Sequence, residues 1–198
     1  MPPGDLAGER GSPAASGPQL MSASAGYRGR VTDFQPVLDL NRHSYGSPQA
    51  ATTVVEYGDF ECPYCGAAAP VLRQLIDGSG GSVRLVYRHF PLFGKHPFAL
   101  TAALAAEASG DLFWEMHDLL FTHQDRLRDA DLAEYAVQIG AGEVVGEAAQ
   151  VFRPAVEFDY LAGAEDDVRG TPTLFIDGKR YSGRVQLGAF RAAIGLGR

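Results

Sequence analysis

Cys62 and Cys65 lie three positions apart in the segment Cys-Pro-Tyr-Cys, and the 198 residues of the chain contain no other cysteine. Two cysteines at this spacing can close a small disulfide ring and reopen it. One thiolate can attack a disulfide, and the other thiol can then resolve the mixed disulfide that forms. The pair therefore predicts thiol-disulfide chemistry.

The residues around the pair predict a helix that begins at the cysteines. Pro63 suits the first helical position, because its missing N–H would have no partner there. The helix should run to about Ile76, with a kink at Pro70. Unpaired N–H groups and the helix dipole would stabilise a thiolate on Cys62 at its start. Cys65 would lie one turn inside, so Cys62 is the predicted nucleophile and Cys65 the resolving thiol.

The flanking segments predict strands. Residues 52–57 and 83–88 are rich in β-branched and apolar residues, which is typical of buried strands. Strand, helix and strand in this order form a right-handed βαβ unit. Near the C-terminus, Asp177-Gly178 is a two-residue hairpin turn between strands 173–176 and 179–182. An amphipathic helix should close the fold from residue 187 to residue 196.

The middle of the chain predicts helices only. They are expected near 97–109 and 111–127, then from Asp131, which forms a capping box with Glu134. One or two more should follow, broken near Pro154. The order βαβ, helices, ββα indicates an α/β sheet interrupted by a helical insertion.

Composition divides the chain further. Residues 1–30 are rich in Gly, Pro, Ala and Ser and are expected to be a disordered tail. Residues 31–50 should form an arm and a loop. The α/β domain should comprise 51–96 together with 169–198, and the helical insertion 97–168.

Charge and hydropathy exclude some functions. The net charge of -7 argues against a nucleic-acid surface, and no apolar run approaches the roughly 18 residues of a membrane span. The N-terminus has no apolar segment typical of a secretory signal, so a cytoplasmic location is expected. An extracytoplasmic one would follow if the start site were misassigned.

A zinc site is the alternative interpretation of the cysteine pair. Structural zinc needs four ligands. The chain offers no second cysteine pair, and His89 and His96 fall outside the usual histidine spacing. We therefore expect redox chemistry with no metal and no organic cofactor.

Several positions carry a resemblance to a known family. They are the motif Cys62-Pro63-Tyr64-Cys65, then Pro70, Thr171-Pro172 before a strand, and Glu56, six residues before the first cysteine. With the long helical insertion, the chain resembles the DsbA-like thiol-disulfide oxidoreductases of the thioredoxin fold. The resemblance covers about residues 40–196.

The segment 55–65 also resembles a bacterial subgroup of this family, in which some members are fused to a sodium/proton antiporter. The resemblance implies a cis bond at Pro172 beside the cysteines. Backbone at Thr171 would pair with an extended substrate. The alternative is an ordinary loop at 170–172.

Glu56 is implied to be the buried acid of the family. An acid in an apolar strand should have a raised pKa and could exchange a proton with Cys65 through water. The alternative is that Glu56 faces solvent. Asp59 and Glu61 are expected to be solvated turn residues, and the histidines near residue 90 to pack or to fix a loop.

Tyr64 bears on the direction of the reaction. The strongest oxidants of the family carry His at this position, and Tyr cannot supply the positive charge of an imidazolium. We expect an intermediate potential, near about -200 mV. Thr171 stands where the strong oxidant has Val, so reduction and isomerisation are also open.

Two hypotheses follow. The first is a protein dithiol-disulfide oxidoreductase, with protein or peptide thiols and disulfides as substrates and a thiol reductant or oxidant as partner. The second is a redox-sensing or partner-binding module that uses the disulfide as a switch, without turnover.

Overall fold

The computed structural model describes residues 39–196. Five strands and seven α-helices follow one another over this range, with one short 3-10 helix, Gly110–Leu112. The strands are β1 Ser44–Gly46, β2 Thr52–Gly58, β3 Val83–His89, β4 Thr173–Ile176 and β5 Lys179–Tyr181. The helices are α1 Pro63–Asp77, α2 Ala99–Ala108, α3 Phe113–Thr122, α4 Asp129–Ile139, α5 Gly146–Gln150, α6 Arg153–Glu165 and α7 Leu187–Ala193.

The strands form one sheet in the order β1-β3-β2-β4-β5. β2 pairs parallel with β3 across α1, which confirms the predicted βαβ unit. β4 pairs antiparallel with β2 and with β5, and Asp177 and Gly178 form the hairpin turn, both with positive φ. The α/β thioredoxin fold with a helical insertion is therefore correct.

Two apolar clusters hold the site in place. One packs α1 and α7 on the sheet, and its buried members include Val54, Leu72, Leu75, Leu85 and Phe190. The other packs the helical insertion behind the cysteines, and its buried members include Phe60, Tyr87, Met116, Leu120 and Leu132. Each such side chain contributes roughly 1.5–3 kcal/mol by its burial.

Some predicted elements differ from those observed. Residues 44–46 lie within the segment 31–50 that was predicted to be an arm and a loop, but they form β1, because Tyr45 and its neighbours pair with the edge of β3. α3 ends at Thr122, five residues before the predicted end. α4 begins at Asp129, and Asp131 is the acid that accepts the N–H of Arg128 at 3.2 Å, so it is not the cap itself. The tail at 1–30 lies outside the described residues.

No helix within residues 39–196 is both long enough and apolar enough to span a membrane.

Arg88 on β3 anchors the chain that precedes the sheet. Its fully buried guanidinium donates to the carbonyl oxygens of Arg42 and Tyr87, at 2.7 Å each, and to that of Asp39. Asp159 on α6 lies 3.5 Å from Arg88 Nε and accepts the N–H of His89 at 3.1 Å. β3, α6 and the residues that lead into β1 are therefore joined by one group of charged side chains.

The Arg42 guanidinium completes this group by contacting the carboxylates of Glu107 on α2 and Asp159. We call Arg42, Arg88, Glu107 and Asp159 the arginine cluster. Burial lowers the pKa of the adjacent His43 to about 4, so that imidazole is neutral at pH 7. Two guanidinium groups thus lie against two carboxylates, and burial raises the pKa of one of these acids, Asp159.

The arginine cluster adjoins a set of possible metal donors. Within the described range, donor atoms of His43, His89, Glu107 and Asp159 lie within 4.8 Å of one another. Both carboxylates are already in contact with Arg42. These donors do not fit a metal ion, because the Arg42 guanidinium lies against both carboxylates.

Candidate active site

The two cysteines lie at the start of α1, where the sequence predicted them. Cys62 is the residue before the first helical position, with Pro63 at that position. Both cysteines are free in this structure, and Cys62 is 3% exposed and Cys65 0%. Pro63 and Tyr64, between the two cysteines, are exposed, and Tyr64 is 74% exposed.

The pKa of Cys62 is lowered to about 5. The largest cause is a hydrogen bond from the Cys65 side chain. Burial opposes it, and a contact with Thr171 and the backbone N–H groups of Cys65 and Tyr64 lower the pKa further. Burial raises the pKa of Cys65 well above its usual value. At neutral pH the first sulfur is a thiolate and the second a thiol.

The Thr171–Pro172 bond is cis, as predicted. The carbonyl oxygen of Thr171 lies 3.4 Å from Cys62 Sγ. The loop before β4 therefore brings the backbone of Thr171 directly to the first sulfur. Thr171 Oγ1 is buried and has no hydrogen-bond partner among the described residues.

Glu56 is fully buried on β2, so the interpretation that it faces solvent is wrong. Neither carboxylate oxygen has a hydrogen-bond partner within residues 39–196. Burial, followed by the charge of Cys62, raises the pKa of Glu56 to about 8. The charge of Glu56 in turn adds to the raised pKa of Cys65. An acid with a pKa near neutrality therefore lies close to the resolving thiol.

Tyr87 is a site residue that sequence reasoning missed. It pairs in register with Glu56 across β2 and β3 and is fully buried. Its hydroxyl has no partner within the described range, and its ring stacks on Phe60 with centroids 5.1 Å apart. Burial, then the charges of Cys65 and Glu56, raises its pKa. In the sequence, only the alignment of Tyr87 with Glu56 in the predicted parallel pair of strands could have indicated a role for Tyr87.

Asp59 and Glu61 were expected to be solvated turn residues, and this is wrong for Asp59, whereas Glu61 is half-buried. Asp59 is 2% exposed and accepts the N–H of Glu61, the N–H of Leu92 and a contact from His96 Nδ1, each at 2.8 Å. Glu61 accepts the N–H of Phe98 at 2.7 Å. The two acids tie the loop after β3 to the turn before Cys62, and His96 fixes this loop as predicted.

Comparisons with known proteins agree with this geometry. The family model described as Thioredoxin matches residues 39–195. The Na(+)/H(+) antiporter NhaA 1 of Salinispora arenicola is 42% identical over 191 residues, which cover 92% of this chain and 28% of the antiporter. The chain thus spans little more than a quarter of that relative, as the resemblance to the antiporter-fused subgroup implied.

Two solved structures have the same fold. The thiol-disulfide exchange protein alpha-DsbA2 from Wolbachia pipientis has a TM-score of 0.69 and 22% identity, over 79% of this chain and 87% of that one. DsbA2 from Pseudomonas aeruginosa has a TM-score of 0.58 and 25% identity, over 77% and 92%. Because the family model covers all five strands and both cysteines, the chain belongs to the thioredoxin family, and its fold is that of the DsbA-like oxidoreductases.

Proposed function

We propose that this chain is a thiol-disulfide oxidoreductase that exchanges disulfides with protein or peptide substrates. The observation that carries the proposal is the unequal pair of sulfurs. Cys62 is a thiolate at a helix N-terminus, and Cys65 is a buried thiol one turn away. A low pKa on the first sulfur is the requirement for attack at neutral pH.

In the reducing direction, the Cys62 thiolate attacks one sulfur of a substrate disulfide. A Cys62–substrate disulfide forms, and the other substrate sulfur leaves as a thiolate. Cys65 then loses its proton and attacks Cys62 Sγ, which forms the Cys62–Cys65 disulfide and releases the second substrate thiolate. Two electrons pass from the dithiol to the substrate, and the oxidising direction reverses each step.

Glu56 handles the proton of Cys65 in this proposal. Its pKa of about 8 leaves a fraction ionised at neutral pH, and that fraction can accept the proton through water. Thr171 presents its backbone to an extended substrate beside Cys62, supported by the 3.4 Å contact between its carbonyl and the sulfur.

The direction of net transfer depends on the redox potential. The Tyr64 ring is exposed and carries no positive charge, so we expect a potential near about -200 mV. Equilibration with glutathione buffers of known ratio measures it. A value near about -120 mV would indicate a dedicated oxidant instead, and one near about -270 mV a reductant.

Reduction of insulin by the reduced protein tests the function. We expect turnover with the wild type and none with Cys62→Ser. Cys65→Ser keeps the attacking thiolate but cannot resolve, so it should accumulate a covalent mixed disulfide, which mass spectrometry would detect. Cys62→Ser is the matched control and should form none.

Wild-type turnover no greater than that of Cys62→Ser would contradict the proposal. If the protein instead formed a stable complex whose affinity changed with redox state, without turnover, the redox-sensing alternative would be correct.

A further inference from the structure

Gln124, in the loop between α3 and α4, reaches from the helical insertion to the turn that carries Cys62. Its Nε2 donates to the carbonyl oxygens of Phe60 and Cys62, at 2.8 Å each. A side-chain amide nitrogen has two N–H donors, so both are used. The Gln124 side chain, from the helical insertion, thus binds the backbone on both sides of Glu61.

The loop that carries Gln124 is itself fixed. The His123 ring stacks on the Tyr135 ring, with centroids 5.5 Å apart and planes 22° apart. The Tyr135 hydroxyl donates to the carbonyl of Arg126 at 3.0 Å, and the N–H of Arg126 donates to that of His123 at 2.8 Å. Gln124 therefore acts from a rigid base.

Gly66 makes room for the amide. Glycine within a helix costs about 1 kcal/mol relative to alanine, so its presence in α1 needs a reason. A Cβ atom at this position would overlap Gln124 Oε1 and lie 2.8 Å from its Cδ. The end of a glutamine side chain can move, so alanine at residue 66 should displace the amide and leave the helix intact.

The two bonded carbonyls flank the turn that orients Cys62. The N–H of Cys62 donates to the carbonyl of Asp59 and the N–H of Gly66 to that of Cys62, both at 3.1 Å. The N–H groups of Tyr64 and Cys65 stabilise the Cys62 thiolate, and such bonds weaken steeply as their angle departs from linearity. Holding the turn therefore preserves these bonds to the sulfur.

We propose that Gln124 is a positioning residue for the Cys62 thiolate and that Gly66 is the residue that admits it. The helical insertion then tunes the chemistry of the cysteine pair across 62 residues of sequence. This inference rests on the proposed exchange function, but the sulfur itself can be measured without turnover.

Titration of the thiolate by its ultraviolet absorbance tests the inference on the reduced protein with Gln124→Ala, Gly66→Ala and the double variant. Each single change should raise the apparent pKa of Cys62 by about one, a roughly tenfold smaller ratio of thiolate to thiol at a given pH. The double variant should show no more than Gln124→Ala alone, because Gly66→Ala acts only by displacing the amide.

Gln124→Glu sharpens the test. It removes both N–H donors and adds a negative charge, so the pKa of Cys62 should rise further than in Gln124→Ala. Gln138→Ala, at an exposed position on α4, and Gly188→Ala, at an exposed position on α7 with no neighbour within 4 Å, are the matched controls. Both should leave the pKa of Cys62 unchanged.

The redox potential gives a second readout. A tenfold weaker stabilisation of the thiolate disfavours the reduced state and lowers the potential by about 30 mV. The same change is expected for Gln124→Ala and Gly66→Ala, measured against glutathione.

The inference would be overturned if Gly66→Ala left the pKa of Cys62 unchanged, or if the two single effects added. A lower unfolding midpoint without a change in that pKa would make Gln124 merely structural and would overturn it also. If Gln124→Ala does not fold, Gly66→Ala and Gln124→Asn decide. If the variants show the expected changes in the pKa of Cys62 but the wild type does not reduce insulin, the exchange function is contradicted and the positioning role is intact.

Discussion

The arginine cluster and the cysteine site are both polar and largely buried, yet the acids of the first are paired with arginines and the acid of the second is unpaired. In the arginine cluster, Arg42 contacts two carboxylates, so each acid has a guanidinium partner. In the cysteine site, Glu56 is as deeply buried and has no hydrogen-bond partner among the described residues. Paired charges fix structure, whereas an unpaired acid keeps a pKa near neutrality, where it can exchange protons. Burial alone therefore does not distinguish a structural group from a chemical one.

Glu56→Gln should give the largest effect. The pKa of Glu56 is about 8 in the folded protein and near 4.5 in the unfolded one, so the folded state holds more protons between these values. Wild-type stability contributed by this group is present below pH 4.5 and is lost as the pH rises to about 8. At about 1.4 kcal/mol per pH unit this amounts to roughly 5 kcal/mol. Gln does not titrate, so the free energy of unfolding of the variant should rise relative to that of the wild type as the pH increases across this range.

Urea unfolding of both reduced proteins at pH 4.5 and pH 8 measures this difference. Cys62 titrates in both proteins with the opposite sign, since its pKa is lowered to about 5, and its contribution largely cancels in the comparison. A difference that stayed constant with pH would mean that Glu56 is solvated and that the two regions do not differ as described.

Asp159→Asn should destabilise the fold by about 3 kcal/mol, because it leaves the fully buried guanidinium of Arg88 beside an uncharged amide. The free energy of unfolding at pH 7 measures this. The pKa of Cys62 should not change, since the arginine cluster takes no part in the chemistry. A shift of that pKa, or a loss of stability well below 1 kcal/mol, would contradict the separation of the two regions.

Tyr87→Phe should have a smaller effect, of opposite sign to its matched control. It removes a buried hydroxyl with no described partner, so stability should stay constant or rise by about 1 kcal/mol. Tyr57→Phe removes a hydroxyl that donates to Asp166 at 3.2 Å and should cost about 1 kcal/mol. Equal losses in urea unfolding would show that Tyr87 is hydrogen-bonded in solution.

Glu134→Ala should have the smallest effect. Glu134 pairs with Arg126 at 2.7 Å on the surface of α4, where water screens both charges. We expect no measurable change in the unfolding midpoint at 150 mM salt. A clear loss would mean that charge pairing stabilises this fold irrespective of burial, which would weaken the contrast with the arginine cluster.

The sequence predicted the elements that carry a local pattern. β2 and β3 are apolar, β-branched runs, and α1 begins at a proline, so their residue types alone favour these structures. β1 was missed because a three-residue strand has too short a pattern to detect, and its pairing with β3 determines it. The end of α3 and the start of α4 were displaced because caps depend on single side chains.

The spacing of the cysteines predicted the reactive pair, and the family resemblance implied the buried acid Glu56 and the cis bond before Pro172. Long-range polar contacts were not. Asp59 is buried because His96, 37 residues later, folds back on it, and Arg42 meets Asp159 across 117 residues. Gln124 has no periodicity or motif that indicates a contact with Cys62. Such pairs depend on how elements pack, which a local pattern does not encode.

The hydrogen bonds from Arg88 to the backbone carbonyls of Asp39 and Arg42 have a mechanical consequence. Tension applied at Asp39, the first described residue, reaches the sheet at this point. It is borne first by the guanidinium and by the three register pairs between β1 and β3. Thr171 lies in the loop before β4, which β3 and β2 separate from β1. Cys62 lies at the start of α1, whereas the far end of that helix contacts β1 through the 2.7 Å bond from the Tyr45 hydroxyl to Asp77. A pull on the chain would therefore strain the edge of the sheet before it moved the reactive sulfurs.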